Sequence, residues 1–477
     1  MKKLVLSLLC LVTLGCEAQH LSRIYFFRSF TAQQLDSTLD ANGVPSTLLN
    51  IQRGVDAYRI IYNTVNPDST ATIASGLMII PKGVGCKFPL GCYAHGTTTK
   101  KSDAPSRMRG AEPLIGLVMG GLGYVAVLPD YLGLGDGPGL HPYQHAHSEA
   151  TSVVDMLRAT RDAQDSLLFK LNDQLFLTGY SQGGHACVAA HRLIQQQLSN
   201  EFTVTAAVPM SGAYDMSGVM VDVMLSDSVY PEPSYLPYLV YGWKGVYNFF
   251  SVDSDVIAHP YDTLLPPLFN GNTGIGTINA KAPQVPKHLF RPEVIDSFIN
   301  NQNHFFRVAL RDNDVYDWKP ECPVQILFCG KDTRVSPKNA AVLVQHFKAN
   351  GCAQCDTIDV NPALDHTPCA QVAVLYMKNF FEQFSHIDSC SANGIAAYDE
   401  VTAQMVHLRD QEVVRFSDLP LSSIIQVLTI SGQNLIDIKT NNTGLDVPVD
   451  NLPNGIYLIQ AGYDSKILLN RKLVISR

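Results

Sequence analysis

"TGYSQGGH" (residues 178–185) places Gly179 and Gly183 two positions either side of Ser181. The apolar run "QLFLTGY" (174–180) precedes it and reads as a strand. The stretch that follows, 182–198, spaces Ala, Val, Leu and Ile as a helix does. Small residues at a strand-to-helix joint leave room for a sharp turn that lifts the serine hydroxyl above a sheet. Bulky neighbours two positions away would strike the adjoining strand and helix. A glycine-rich joint with no chemistry would use the same residues, so the partners of Ser181 decide the matter.

A serine hydroxyl needs a base, and the base needs an orienting acid. After a nucleophile elbow, the acid and then the histidine follow along the chain. "PVQILFCGKDTRVSP" (323–337) sets Asp332 just beyond a buried strand, and "NPALDHTPCA" (361–370) sets His366 in a loop ahead of a final helix over 369–385. Asp365 is the rival acid, but adjacent residues seldom aim their side chains at each other. His304, in the cap-like segment, and His346, in a helical stretch, lack the loop setting expected of a base. Two amides must face the developing oxyanion. The first helical residue, Gln182, supplies one. The loop "AHGTTTK" (94–100) supplies the other at Thr97, with His95 and Gly96 as support and Gly96 allowing close backbone approach. "HPYQHAHSE" (141–149) could be drawn as a metal cluster of His141, His145, His147 and Glu149; here it is read as a helix cap and pocket mouth. His185 and His191 are read as structural. No metal site and no cofactor are expected.

The wider chain fits this setting. Strands are expected at 57–65, 71–80, 88–95, 123–130, 174–180, 202–210 and 323–329, with helices over 146–168 and 182–198. Several of these strands are unbroken apolar runs, as strands buried on both faces are, and their alternation with helices points to a mostly parallel α/β sheet. Residues 213–320 are rich in Tyr, Pro and Phe and carry no strand rhythm; they are expected to form a cap or lid insertion of short helices. A small all-β, sandwich-like module is expected over 405–477, with a hairpin turning at Ser431-Gly432, behind a linker at 388–404.

"MKK", "LVLSLLCLVTL" and "GCEAQ" make residues 1–18 an export signal. Lipidation of Cys16 competes with cleavage before Gln19, and the second is preferred. No later apolar run is long enough to span a bilayer. Of eleven cysteines, Cys10 and Cys16 fall in the signal. The odd remainder leaves at least one thiol outside any internal pair, and spacing does not give the connectivity. The lone Cys352-x-x-Cys355 lacks the companions of a zinc site. A net charge of −8, without a basic run, argues against a nucleic-acid partner.

At "GYSQGGH", "PDYLGLGDGPGLHPY", "GKDTRV" and "DHTPCA" the chain resembles the α/β-hydrolase superfamily over about residues 20–387. It is most similar there to the secretory-lipase group of fungal lipase-A-like enzymes. The resemblance implies hydrolysis of carboxylic esters by Ser181, Asp332 and His366 through an acyl-enzyme, with 213–320 as a lid. Alternatives are a serine peptidase using the same triad and a catalytically silent surface binding protein. "IIQVLTISGQNLIDIKT", "DNLPNGIYLIQA" and "KLVIS" resemble the C-terminal sorting domain of type IX secretion, although the usual Asn-Pro opening is missing. That likeness implies an exported or surface protein with the secretion machinery as partner, and it favours cleavage ahead of Gln19. A carbohydrate-binding sandwich is the alternative for this module.

Overall fold

The computed structural model describes residues 20–388, except 84, and then 404–408, 412–417, 419, 421–429, 433–463 and 466–475. The expected export signal, Cys390, the turn at Ser431-Gly432 and nearly all of the linker lie outside these residues.

Nine strands form one sheet: β1 (Leu21–Phe30), β2 (Val55–Val65), β3 (Ala71–Pro81), β4 (Lys87–Ala94), β5 (Val125–Pro129), β6 (Lys170–Tyr180), β7 (Val204–Met210), β8 (Val324–Phe328) and β9 (Cys355–Asp359). Their order is β1-β2-β3-β5-β4-β6-β7-β8-β9. The pairs from β1 to β5 are antiparallel and those from β5 to β9 are parallel. All five residues of β5, "VAVLP", are buried, as a central parallel strand requires. The edge strands β1 and β9 escaped the sequence reading. In β1 only the end residues Leu21 and Phe30 are fully buried, and β9 is the short polar "CDTID"; an edge strand carries no continuous apolar run.

Ten helices of seven residues or more accompany the sheet: α1 (Ala32–Ala41), α2 (Glu112–Gly121), α3 (Ala146–Asp162), α4 (Gln182–Gln197), α5 (Val219–Leu225), α6 (Tyr235–Tyr247), α7 (Pro292–Asn300), α8 (Phe305–Asp312), α9 (Lys338–Ala349) and α10 (His366–Phe381). One face packs against α3, α4 and α9 through residues such as Val153, Val188 and Leu343. The other packs against α1, α2 and α10 through Leu35, Leu117 and Met377. Helices α5 to α8 all lie between β7 and β8 and share an apolar cluster around Trp243, Phe298 and Phe306. The Trp243 indole N–H donates to the Tyr143 carbonyl at 2.8 Å, which ties this helical layer to the sheet's loops. Among the described residues no helix is long and apolar enough to cross a membrane.

The C-terminal part holds a three-stranded and a four-stranded sheet. The strands are β10 (Gln404–Leu408), β11 (Val413–Ser417), β12 (Ser423–Thr429), β13 (Asn434–Thr440), β14 (Leu445–Pro448), β15 (Gly455–Tyr463) and β16 (Lys466–Ile475). Val414 and Val447 of one sheet pack with Ile425, Ile459 and Leu473 of the other, making a small sandwich.

Cysteine pairing became visible only in three dimensions. Cys329 is bonded to Cys369, and Cys352 to Cys355; Cys86 is also in a disulfide, while Cys92, Cys187 and Cys322 are buried thiols. The Cys329–Cys369 bridge joins the end of β8 to the first turn of α10. Replacing both by alanine is expected to lower the unfolding free energy by about 2–4 kcal/mol, measured by urea titration under non-reducing conditions.

Candidate active site

Ser181 stands between β6 and α4 with φ 59° and ψ −121°, a left-handed conformation that a side chain tolerates only when its surroundings impose it. They do. A Cβ on Gly183 would land on the Ala94 carbonyl oxygen, and one on Gly179 would strike the backbone of Gly183. These two positions let β4, β6 and α4 approach closely. The Ser181 N–H donates to the Met210 carbonyl at 2.9 Å, and the Ser181 carbonyl accepts from the Gly184 amide at 2.9 Å. The turn is thereby held from both sides.

Asp332 and His366 meet as expected. His366 Nδ1 lies 2.6 Å from Asp332 Oδ2, and both residues are buried. The other carboxylate oxygen, Oδ1, accepts from the amides of Arg334 (3.0 Å) and Val335 (2.9 Å). The sequence reading put His366 in a loop before the helix, whereas it is the first residue of α10. Asp365 explains the difference. Its carboxylate caps that helix by accepting from the His366 amide at 2.8 Å, and it also accepts from the Thr333 amide at 2.8 Å. Asp365 therefore draws the acid and base segments together without itself facing the imidazole nitrogens. The His366 ring lies over Tyr180, 5.0 Å between centroids, and the Tyr180 hydroxyl donates to the His366 carbonyl at 2.6 Å. The imidazole is thus packed, tilted, against the residue preceding Ser181. Among the described residues no hydrogen bond joins it to Ser181 Oγ.

The amides of Thr97 and Gln182 have no protein acceptor among the described residues. The Gly96 amide is already committed, donating to Glu112 Oε1 at 3.2 Å. The loop carrying Thr97 is fastened to the helical layer, with Tyr238 donating to the Thr98 carbonyl (3.0 Å) and Thr99 to the Thr273 carbonyl (2.8 Å), while Thr97 Oγ1 pairs with the Tyr143 hydroxyl of a neighbouring loop (2.9 Å). His95 Nδ1 lies 2.6 Å from the Gly96 carbonyl. Arg334 pairs with Glu232 of the same layer at 2.9 Å and donates to Thr367 at 2.6 Å.

From Ser181 a narrow cavity of about 80 Å³ runs into the helical layer, lined by apolar side chains that include Met216, Met220, Met224, Leu236 and Leu239. A larger polar cavity of about 500 Å³, bordered by His145, Arg192 and Asp312, contains none of Ser181, Asp332 and His366.

Five further histidines named in the sequence have other partners. His145 caps α3, accepting from the Ser148 amide, and His304 caps α8, accepting from the Phe306 amide. His346 is exposed beside Asp317. His141 and Glu149 turn toward the side chain of Gln182, and His185 faces Glu149. The sequence reading named Gln182 only for its amide; the single legible hint of more was a Gln directly after the serine.

A secretory lipase family model matches residues 113–222, the segment holding α2, β5, α3, the elbow and the start of the helical layer. A protein from Legionella pneumophila described as a hydrolase is 28% identical, with a TM-score of 0.72 over 79% of this chain and 100% of its own. The rice cell wall degrading esterase LipA from Xanthomonas oryzae is 26% identical, with a TM-score of 0.69 over 77% of this chain and 99% of its own. The chain is a carboxylic ester hydrolase. Candida antarctica lipase A, 15% identical with a TM-score of 0.53 over 73% of this chain and 77% of its own, shares the fold of this hydrolase. No curated protein sequence matches it.

Burial holds three imidazoles of the hydrolase far below the ordinary range: His141 and His191 to about 3, and His145 to about 4. In the unfolded chain an imidazole takes up its proton near pH 6.5. The fold keeps their full contribution above that value and loses it as pH falls toward 4 and then 3. The slope is about 1.4 kcal/mol per pH unit for each imidazole. Urea midpoints are expected to hold from pH 7.5 to about pH 6.5 and to drop from there to pH 5, and His191→Gln to flatten that drop.

Proposed function

We propose that the hydrolase is a secreted serine esterase or lipase acting on esters with an apolar acyl chain. Ser181 Oγ attacks the ester carbonyl carbon and passes its proton to His366 Nε2. His366 hands that proton to the departing alkoxide as the C–O bond breaks, leaving an acyl-enzyme. Water then attacks the acyl carbon, its proton going to His366 and on to Ser181 Oγ as the carboxylic acid departs. Asp332 holds the imidazole with Nδ1 protonated, so that Nε2 is free to act as base. The amides of Thr97 and Gln182 receive the oxyanion, and the narrow cavity lined by methionines and leucines takes the acyl chain. No cofactor enters these steps.

One observation carries the reading: the 2.6 Å contact of His366 Nδ1 with Asp332, its ring packed against the residue before a serine held at positive φ. Export by residues 1–18 is supported by their sequence and by the secretory family match. We assign 19–387 to the hydrolase domain, with 213–320 as its cap or lid, 388–404 to a linker and 405–477 to a sorting module engaged by type IX secretion. The two-sheet architecture and the sequence likeness support that last assignment.

A fluorophosphonate is expected to label Ser181, read out by mass spectrometry, and Ser181→Ala to abolish both labelling and nitrophenyl-ester turnover. Asp332→Asn is expected to lower kcat by about 10⁴-fold through the wrong imidazole tautomer. Labelling elsewhere, or turnover surviving Ser181→Ala, would remove the proposed mechanism. Leu239→Trp fills the cavity, so kcat/KM across a nitrophenyl acyl series should shift toward shorter chains while the acetate ester is spared.

A further inference from the structure

We propose that Glu149, acting through the side chain of Gln182, is a positioning residue that fixes the amide following Ser181 for the oxyanion. The inference rests on the ester-hydrolase mechanism above.

Gln182 opens α4 but its side chain does not reach solvent. It points back into the protein, where Nε2 lies 2.7 Å from His141 Nε2 and 2.7 Å from Glu149 Oε1. A carboxamide nitrogen carries two hydrogens, and each has an acceptor here. His141 Nδ1 faces the Leu132 carbonyl at 2.8 Å, so Nδ1 carries the proton and Nε2 is bare. Turning the carboxamide over would set its oxygen against a carboxylate and a bare ring nitrogen. One orientation is therefore fixed, and Oε1 is left buried without a partner among the described residues.

Glu149, on α3, is fully buried. Its Oε2 accepts from His185 Nδ1 at 2.6 Å, and His185 Nε2 faces the Asn313 carbonyl at 2.9 Å. Both ring nitrogens of His185 thus have a partner, and the ring holds the Glu149 carboxyl in place. The pair is anchored on α3 and on the first turn of α4. A stacked column leads the other way. His141 lies on Tyr131, 5.6 Å between centroids at 13°, and Tyr131 lies on His95 at 4.4 Å, donating its hydroxyl to the His95 carbonyl at 3.1 Å. The polar frame thus begins at the Gln182 side chain and ends in the loop that presents the Thr97 amide.

The need for such a frame follows from helix geometry. The first amides of a helix have no carbonyl one turn back to hold them, and the Gln182 peptide follows a residue in a strained conformation. A donor contributes to catalysis only when it is aimed before charge develops. Anchoring its side chain against a fixed carboxylate supplies that aim. Removing the anchor lets the peptide plane drift.

The test compares Glu149→Leu, Gln182→Met and Glu149→Gln with the wild type, using nitrophenyl butyrate. Rates are expressed per active site titrated by prolonged exposure to a fluorophosphonate, so unfolded protein does not count. Glu149→Leu and Gln182→Met should lower kcat per site by about 10- to 100-fold, with KM changing less than about 3-fold. Inhibition by a trifluoromethyl ketone, which forms the oxyanion on Ser181, should weaken by the same factor. Glu149→Gln keeps an oxygen opposite Gln182 and should recover most of the loss, remaining about 3- to 10-fold below wild type. If Glu149→Leu and Gln182→Met yield no folded protein, Glu149→Gln decides alone. Variants with lower unfolding midpoints but unchanged kcat per site and inhibitor affinity would make the network a structural brace and overturn the proposal. A wild type that hydrolyses no ester and takes no label at Ser181 overturns the mechanism and this inference together; an active wild type with unaltered variants overturns the inference alone.

Discussion

The backbone at Ser181 is the constraint on which the site depends. A non-glycine residue at φ 59° and ψ −121° costs about 1–3 kcal/mol and persists only because its neighbours leave the chain nowhere else to go. β4 presses the Ala94 carbonyl onto Gly183, β7 accepts the Ser181 amide through Met210, and α4 starts immediately afterwards. The strain thus rests on three parallel strands that are apolar on both faces. It also sets what lies around the serine, because the same turn exposes the first amides of α4 and aims the hydroxyl at the helical layer.

Asp332 and His366 are positioned by a different device. Neither is strained; each is held by short contacts between two chain segments. Asp365 caps α10 and grips the Thr333 amide, Cys329 is bonded to Cys369, and Arg334 reaches Thr367. The β8 loop and the start of α10 therefore move as one piece, with the Asp332–His366 hydrogen bond inside it. Arg334 extends that piece to Glu232, and Tyr238 and Thr273 fasten the Thr97 loop to the same layer. Displacing the helical layer would consequently disturb the Asp332 loop and the Thr97 loop together, which couples access to the cavity with the arrangement of both loops.

What was legible in the sequence follows from this division. The elbow could be read because steric demand writes small residues at fixed offsets, and the inner strands because burial on both faces writes unbroken apolar runs. Asp332 and His366 could be read because chain order and strand ends constrain them. The start of α10 at His366 was missed: Asp365 was weighed only as an acid, whereas its contact with the next residue's amide makes it a cap. The edge strands β1 and β9 carry no apolar run to betray them. The Cys329–Cys369 bond, the apolar cavity and the pairing of Glu149 with Gln182 and His185 depend on segments far apart in the chain, and no local pattern encodes such meetings.

The buried charges near the serine share one property that bears on the proposed chemistry. Glu149 faces His185, and Asp332 faces His366 and two amides. Asp130 accepts from Ser75 and from the Ser106 amide, with burial raising its pKa, while His141 is held neutral. Each of these three acids is paired or hydrogen-bonded. An ester oxygen that becomes negative there would meet the Thr97 and Gln182 amides and the positive end of α4 in a poorly screened interior, where such dipoles act more strongly than in water. On this argument the polar frame beneath the elbow does two jobs at once. It fixes a donor in place, and it keeps the carboxylate needed for that fixing from opposing the charge the donor receives.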